Sequence, residues 1–433
     1  MKYYSTNKQV NNITLEEAVV TGLASDRGLY MPERIIPLEN DFFDHIDELS
    51  FQEIAYHVAQ KFFGEDVPAD ELRKIVYETL TFETPLTKVA DNIYSLELFH
   101  GPTLAFKDVG ARFMARLLSY FIQNKNNNEC INVLVATSGD TGSAVANGFL
   151  GVPGIKVYVF YPKGKVSEIQ EKQFTTLGQN IVALEVDGTF DDCQALVKAA
   201  FMDEELNKRL KLTSANSINI ARFLPQAFYY FNAYAQLKRI GHENNMVVAV
   251  PSGNFGNLTA GLFAKHMGLP IKRFVAANNS NDIVYQYLKT GHYNPRPSVA
   301  TIANAMDVGN PSNFARILEL YSHSYEAICK DMTGATYSDA QIEQTLKNVW
   351  DRNNYLLDPH GACGYQALAD ELYEDEVGVF LETAHPAKFK DTIDRVLNIE
   401  LAVPEKLQAF MIKEKNTVQL KPTLNDLKHY LLG

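Results

Sequence analysis

Apolar positions recur at two different spacings along this chain, and the spacing changes near residue 90. Before that point it is helical. Thr14 and Glu17 read as a capping box that opens a short helix, and Gly22 ends it. Ser50 and Glu53 repeat the box, Ile54, Ala55, Val58, Ala59 and Phe62 then share one helical face, and Gly64 stops the run. A third helix carries Leu72, Ile75, Val76 and Leu80. The pattern predicts an all-α amino-terminal domain, a helical cap without chemistry of its own. Beyond it, short β-branched runs alternate with helix-period segments. The predicted strands are Ile93–Phe99, Ile131–Ala136, Ile155–Phe160, Ile181–Val186, Met246–Val250, Ile271–Ala276 and Val377–Leu381. Strands that read as continuous apolar runs, spaced by helices, predict an α/β fold whose parallel sheets are covered on both faces. Asn124–Asn128 reads as a surface loop, and no repeat or low-complexity tract interrupts the pattern.

Composition narrows the function classes. With 433 residues, 46% hydrophobic and 21% charged, the chain has room for two or three domains of ordinary globular character. A net charge of −12 repels polyanions, so neither nucleic acid nor an anionic membrane is an expected partner. A small anionic substrate stays possible, because salt screens the global field beyond roughly 8–10 Å and local donors decide. The longest apolar runs hold about five residues against the roughly 20 a membrane span needs. The opening segment MKYYSTNKQVNNITLEE is polar and lacks an apolar signal core. Cys130, Cys193, Cys329 and Cys363 lie far apart and form no CxxC pair, which suggests reduced thiols and a cytoplasmic location. HExxH, GxSxG and spaced His/Cys clusters are missing, so no metal site is expected.

Three segments hold candidate chemistry. In Met246–Gly268 an apolar strand runs into Ser252, Gly253, Asn254, Phe255, Gly256 and Asn257 and then into a small-residue helix. Such a turn aims several N–H groups and a helix dipole at one point, which suits a phosphate, although it also serves as a plain tight turn. Ile131–Phe149 repeats the shape with Thr137, Ser138, Gly139, Asp140, Thr141 and Gly142, and its hydroxyls and amides suit a carboxylate or phosphate. In Phe99–Arg116, Lys107 stands at the start of a helix whose Val109, Phe113, Leu117 and Phe121 share one face. Apolar neighbours and a helix dipole disfavour the charged amine there, as Schiff-base chemistry requires. The alternative is an exposed lysine paired with Asp108. His100 and His385 sit beside these loops.

The stretches FHGPTLAFKD (99–108), ATSGDTGSAVA (136–146), PSGNFGNLTAG (251–261) and ETAHPAKFK (382–390) resemble the threonine synthases, most closely their bacterial and fungal branch. GLASDRGLYMPE (22–33), SEIQEKQFTTLG (167–178), SANSINIARFLPQ (214–226), AMDV (305–308) and LDPHGA (357–362) extend the resemblance in order from near residue 20 to about 395. It implies a pyridoxal 5'-phosphate enzyme of the tryptophan-synthase-β fold type, with two parallel-sheet α/β lobes and a helical N-terminal domain. The implied domains are 1–85 helical, 86–109 with 231–400 as the large pyridoxal-phosphate domain, 110–230 as a smaller inserted domain, and 401–433 as a C-terminal helical segment. The implied reaction converts O-phospho-L-homoserine and water to L-threonine and phosphate by γ-elimination and β-addition of water, the last step of threonine biosynthesis. No protein partner is implied.

The resemblance also assigns residues. Lys107 becomes the catalytic lysine joined to the cofactor. Gly253, Asn254, Phe255, Gly256 and Asn257 hold its phosphate, Thr383 meets its pyridine nitrogen, and Asp140 lies beside its ring. Thr137, Ser138 and Thr141 take the substrate carboxylate. Asn216 and Arg222, at the start of a long helix, are candidates for the substrate phosphate, with Lys163 and Lys165 as rivals. Three positions depart from the family pattern: Asp140 stands where Asn is common, Asn257 where Asp is expected, and Arg27 where Gly is expected. Asn257 is expected to keep a capping role. The competing readings are another eliminating pyridoxal enzyme, such as a serine or threonine dehydratase, and a catalytically silent relative. Release of phosphate rather than ammonia separates a threonine synthase from a dehydratase.

Overall fold

A computed structural model describes residues 1–123 and 130–433, so the segment expected as a surface loop at 124–128 lies outside the described residues. The chain sorts into two compact units, each assembled from separated pieces. The larger takes Met1, Met31–Phe106 and Phe223–Ala402, and the smaller takes Lys2–Tyr30, Lys107–Arg222 and Val403–Gly433. This differs from the expected division at both ends of the chain: Lys2–Tyr30 and Val403–Gly433 go with the smaller unit rather than standing apart.

The larger unit is built on a six-stranded sheet. Its strands run in the order Met332–Thr336, Ile271–Asn278, Met246–Pro251, Val377–Glu382, Ile93–Glu97 and Leu86–Ala90. All pairs are parallel except the last, which is antiparallel. Met246–Pro251 is buried at every position, as its unbroken apolar run requires. On one face Val247, Ala249, Val275, Ala277 and Phe380 pack with Ala362, Ala367 and Leu368 from the helix Pro359–Glu371. The helix Phe51–Phe63 packs against Ala227–Arg239. Its predicted apolar face is fully buried, each large side chain contributing about 1.5–3 kcal/mol relative to exposure. Both predicted capping boxes form.

The smaller unit holds a five-stranded sheet, parallel throughout, in the order Val418–Leu420, Ile181–Val186, Ile155–Pro162, Ile131–Ala136 and Lys211–Ser214. It opens with two short antiparallel strands, Lys2–Ser5 and Ile13–Thr14, so the amino-terminal region is not all-α. Tyr3 and Ser5 are buried and Lys2 is exposed, a period-two pattern too short to register in the sequence. The carboxy-terminal segment likewise contains a strand between its helices Glu405–Met411 and Leu424–Leu432. It also braces the helix Glu168–Thr175. Lys172 Nζ donates to Lys413 O at 2.7 Å, Asn416 N to Thr175 O at 2.8 Å, and Lys415 Nζ reaches Glu185 at 2.6 Å. The left-handed backbone at Arg27 (φ 69°) explains why glycine is expected there.

Candidate active site

Within the larger unit, the strand Met246–Pro251 delivers the glycine loop to the N-terminus of the helix Gly256–His266. Phe255 enters the helix in the left-handed region (φ 61°), and no side chain caps the first turn. The first-turn amides therefore have no side-chain acceptor, the arrangement that binds anions. Asn257 does not cap the helix as expected. Its Oδ1 accepts from Tyr229 Oη at 2.6 Å and from Tyr230 Oη at 2.7 Å. Both phenols are fully buried, and burial pushes them well above their ordinary value, so they stay protonated and donate. This fixes the amide, leaving Asn257 Nδ2 as a buried donor without a hydrogen-bond partner among the described residues. Asn254 braces the loop from the other side, accepting from Ser312 N at 2.7 Å and Asn313 Nδ2 at 3.1 Å. Gly253 lies against main chain: a Cβ there would stand 2.6 Å from Met306 Cα and 2.9 Å from Ala305 O.

Thr383 follows the central strand Val377–Glu382 and is buried. Its carbonyl accepts from Phe106 N at 2.9 Å, and Ala105 and Ala384 form an antiparallel bridge. Lys388 Nζ donates to Thr103 O at 3.0 Å. Thr103 and the two residues that precede Lys107 in the AFKD motif are thus tied to the segment that begins at Thr383. His385 Nδ1 accepts from Ala387 N at 3.1 Å. Burial, with the neighbouring His100 and Lys388, pushes the His385 pKa down to about 4, so it is neutral through the physiological range. His100 instead pairs with Glu97 at 2.8 Å.

In the smaller unit Lys107 is the first residue of the helix Lys107–Gln123 and is half-buried, and the predicted apolar face of that helix is buried. Asp108 is buried, and its charge acts on Arg222, whose pKa burial nevertheless lowers to about 10. In the second loop Thr137 Oγ1 accepts from Gly139 N at 2.9 Å and Gly142 N at 2.8 Å. Gly139 has φ 146°, and a Cβ there would meet the Gln170 side chain at 2.6 Å. Asp140 opens the helix Asp140–Phe149 and accepts from Gln170 Nε2 at 2.9 Å. Ser138 and Thr141 are half-buried, and no hydrogen bond to their hydroxyls is seen among the described residues.

Both candidates for the substrate phosphate carry bonds to main chain. Asn216 spends both ends of its amide on Ala136, donating to its carbonyl at 2.9 Å and accepting from its N–H at 3.3 Å. This fastens the loop and uses one of the two protons on Nδ2. Arg222 is 2% exposed, with Nη1 on Ala215 O at 2.8 Å. It does not lie one turn into a long helix. It sits in the four-residue helix Ile220–Phe223, and Leu224–Gln226, with Pro225, separates that helix from Ala227–Arg239.

The sequence reading missed a buried acidic cluster behind Thr383. Asp358 caps the helix Pro359–Glu371 by accepting from His360 N at 2.6 Å and Gly361 N at 3.4 Å. Glu382 is 0% exposed and accepts the Asp358 N–H, while its other oxygen has no partner among the described residues. Burial and the adjacent Asp358 carboxylate hold Glu382 well above the usual carboxylate range, which favours its protonated form. The available signal was the Asp-Pro step ahead of an apolar helical run, an N-cap with proline at the first turn.

This cluster has a pH consequence. Glu382 binds its proton more tightly folded than unfolded, so stability falls as pH rises above the unfolded carboxylate value of about 4.3 toward the folded one. Glu382→Gln keeps the carbonyl acceptor and removes the titration. The variant is expected to gain on the wild type in thermal midpoint between pH 5 and 8, each pKa unit being worth about 1.4 kcal/mol. Melting curves at fixed ionic strength check this; parallel curves for the two proteins reject it.

Residues 78–383 match the family described as "Pyridoxal-phosphate dependent enzyme", residues 2–80 match "Threonine synthase N terminus", and residues 361–431 match "Threonine synthase, C-terminal". The chain is 48% identical over 407 residues to the threonine synthase of Haemophilus influenzae, covering 94% of each chain. It superposes on the crystal structure of Escherichia coli threonine synthase with a TM-score of 0.93 and 42% identity, covering 100% of this chain and 99% of the other. It superposes on a pyridoxal-phosphate-bound threonine synthase from Brucella melitensis with a TM-score of 0.92 and 33% identity, covering 100% and 98%. Among the described residues, no helix is long and apolar enough to cross a membrane. The residues present fit the cofactor. An uncapped helix start and the unpartnered Asn257 Nδ2 supply donors for a phosphate, and Gly253 admits no side chain. The chain belongs to the threonine synthase family of pyridoxal-phosphate-dependent enzymes.

Proposed function

We propose that this protein converts O-phospho-L-homoserine and water to L-threonine and phosphate. The observation that carries the reading is the main-chain tie between Phe106 and Thr383. It binds together the two motifs that supply the expected cofactor lysine and the expected ring partner. Bound pyridoxal phosphate supplies an electron sink for charge that develops on the substrate carbons. The Gly253–Asn257 loop holds its phosphate with first-turn amides and Asn257 Nδ2. Thr383 offers a hydroxyl, not a carboxylate, to the pyridine nitrogen. A hydroxyl does not enforce full protonation there, which favours expulsion of a leaving group over transamination.

Lys107 Nζ takes the proton from the substrate Cα and serves the later transfers at Cβ and Cγ, since one amine on a fixed helix start stays beside the carbons that react. Ser138 and Thr141, at the start of the helix Asp140–Phe149, bind the substrate carboxylate. Thr137, Gln170 and Asn216 hold that loop in shape. Arg222, with Asp108 nearby, braces the base of the Lys107 helix: a Cβ at Gly110 would stand 2.2 Å from Arg222 O.

The test is product analysis with purified protein and pyridoxal phosphate. Threonine and inorganic phosphate are expected in equal amounts from O-phospho-L-homoserine. Ammonia from serine or threonine, with no phosphate release from phosphohomoserine, would replace this reading with a dehydratase.

A further inference from the structure

Asp358 and His360 connect the two parts of the larger unit assigned to the cofactor. Both are buried, at 0% and 2% exposure. One carboxylate oxygen of Asp358 accepts from Ala384 N at 3.2 Å, the residue after Thr383. The other meets His360 Nδ1 at 2.6 Å. His360 Nε2 in turn lies 3.1 Å from Ala305 N. A main-chain N–H can only donate, so Nε2 is the acceptor. The ring proton is therefore on Nδ1 and is donated to Asp358. This fixes a neutral ring with one tautomer and one orientation, and Phe389 packs edge-on against it at 5.0 Å. Ala305 and Met306 are the main chain against which Gly253 is pressed. One unbroken series of contacts thus runs from Thr383 through Ala384, Asp358, His360 and Ala305 to Gly253. Its members are separated by 26 and 55 positions in sequence at the two side-chain links to main chain, so neither is a local turn contact.

We propose that Asp358 and His360 are positioning residues for the cofactor: the pair sets the spacing between the Thr383 hydroxyl and the phosphate loop, so that pyridoxal phosphate is gripped at its ring and its phosphate together. The inference rests on the assignment of Thr383 and Gly253–Asn257 to that cofactor. A ligand held at two ends loses affinity when the ends are mis-spaced, even though each end keeps its donors.

Three variants of the holoenzyme test it. His360→Gln places an amide oxygen where Nε2 accepts from Ala305 and is expected to keep cofactor affinity within about threefold. His360→Leu removes both links and is expected to weaken affinity about tenfold or more, with a shifted phosphorus-31 resonance for the bound cofactor. Asp358→Asn keeps an oxygen for His360 and turns an amide N–H toward Ala384 N–H; a loss of about tenfold is expected. The readouts are pyridoxal phosphate dissociation on dilution, the phosphorus-31 spectrum, and the melting midpoint of cofactor-free protein. If His360→Leu and Asp358→Asn lower only the cofactor-free midpoint and leave affinity and resonance unmoved, the pair is structural and the proposal falls. If His360→Leu does not fold, the contrast between His360→Gln and Asp358→Asn decides, and equal wild-type affinity in both overturns it. A wild type that takes up no pyridoxal phosphate overturns the cofactor assignment itself, a result distinct from the other two.

Discussion

Replacing Lys107 with alanine is expected to lower kcat by about 10⁴-fold or more while leaving the fold in place. The size follows from the number of tasks placed on one amine: attachment of the cofactor and each proton transfer at the substrate carbons. The intact fold follows from position. Lys107 is half-buried at the first turn of a helix, and alanine is the best helix former. The main-chain bonds of the preceding residues, Phe106 N on Thr383 O and the Ala105–Ala384 bridge, do not involve the lysine side chain. Phosphate release, the visible spectrum and the melting curve measured together check the claim. The variant should bind pyridoxal phosphate without the visible band of a lysine-linked cofactor. Activity within tenfold of wild type would move the role to another lysine, and Lys388, buried in the TAHPAKF stretch, would be the first to examine.

Gly253→Ala carries the second large effect, a loss of cofactor affinity between about tenfold and one hundredfold. The backbone there is not left-handed, so alanine is conformationally acceptable and the effect is one of space. The new methyl would meet Met306 Cα at 2.6 Å and Ala305 O at 2.9 Å. Neither can swing aside as a side chain tip does. Over-packing of this kind costs about 1–3 kcal/mol, and each 1.4 kcal/mol is about tenfold in affinity. The loop must shift to relieve the contact, which moves its amides off the phosphate. Equilibrium binding of pyridoxal phosphate, beside the melting midpoint of cofactor-free protein, separates loop displacement from general destabilisation. Unchanged affinity would mean that this loop does not hold the cofactor.

What the sequence made legible has a simple geometry. All seven strands read from apolar runs are interior strands of the two parallel sheets. All four edge strands of those sheets escaped: Leu86–Ala90, Met332–Thr336, Lys211–Ser214 and Val418–Leu420. An interior strand is covered on both faces and must be apolar at every position, whereas an edge strand is part-exposed and tolerates Thr, Lys and Gly. The site divides in the same way. The two glycine loops and Lys107 announce themselves because strand, turn and helix start are contiguous in sequence. Asp358 and His360 do not, because what gives them meaning is Ala384 and Ala305, brought close only by the fold. Asn257 shows the limit from the other side. Its place at the helix start was readable, but its orientation is set by Tyr229 and Tyr230, 28 and 27 positions away.

The parallel pairing of Val418–Leu420 with Leu184–Val186 bears on how the chain is made. The partners lie 234 positions apart, as the neighbouring Gln419–Glu185 contact does. During synthesis Ile181–Val186 emerges long before the segment that covers it, and its outer row of N–H and C=O groups stays open meanwhile. An open strand edge is a template for pairing with another chain. Contacts of such separation also slow folding and expose intermediates to aggregation. The smaller unit therefore completes its sheet only after nearly the whole chain has been translated. Premature termination between residues 186 and 418 would leave a nascent product with that adhesive edge open.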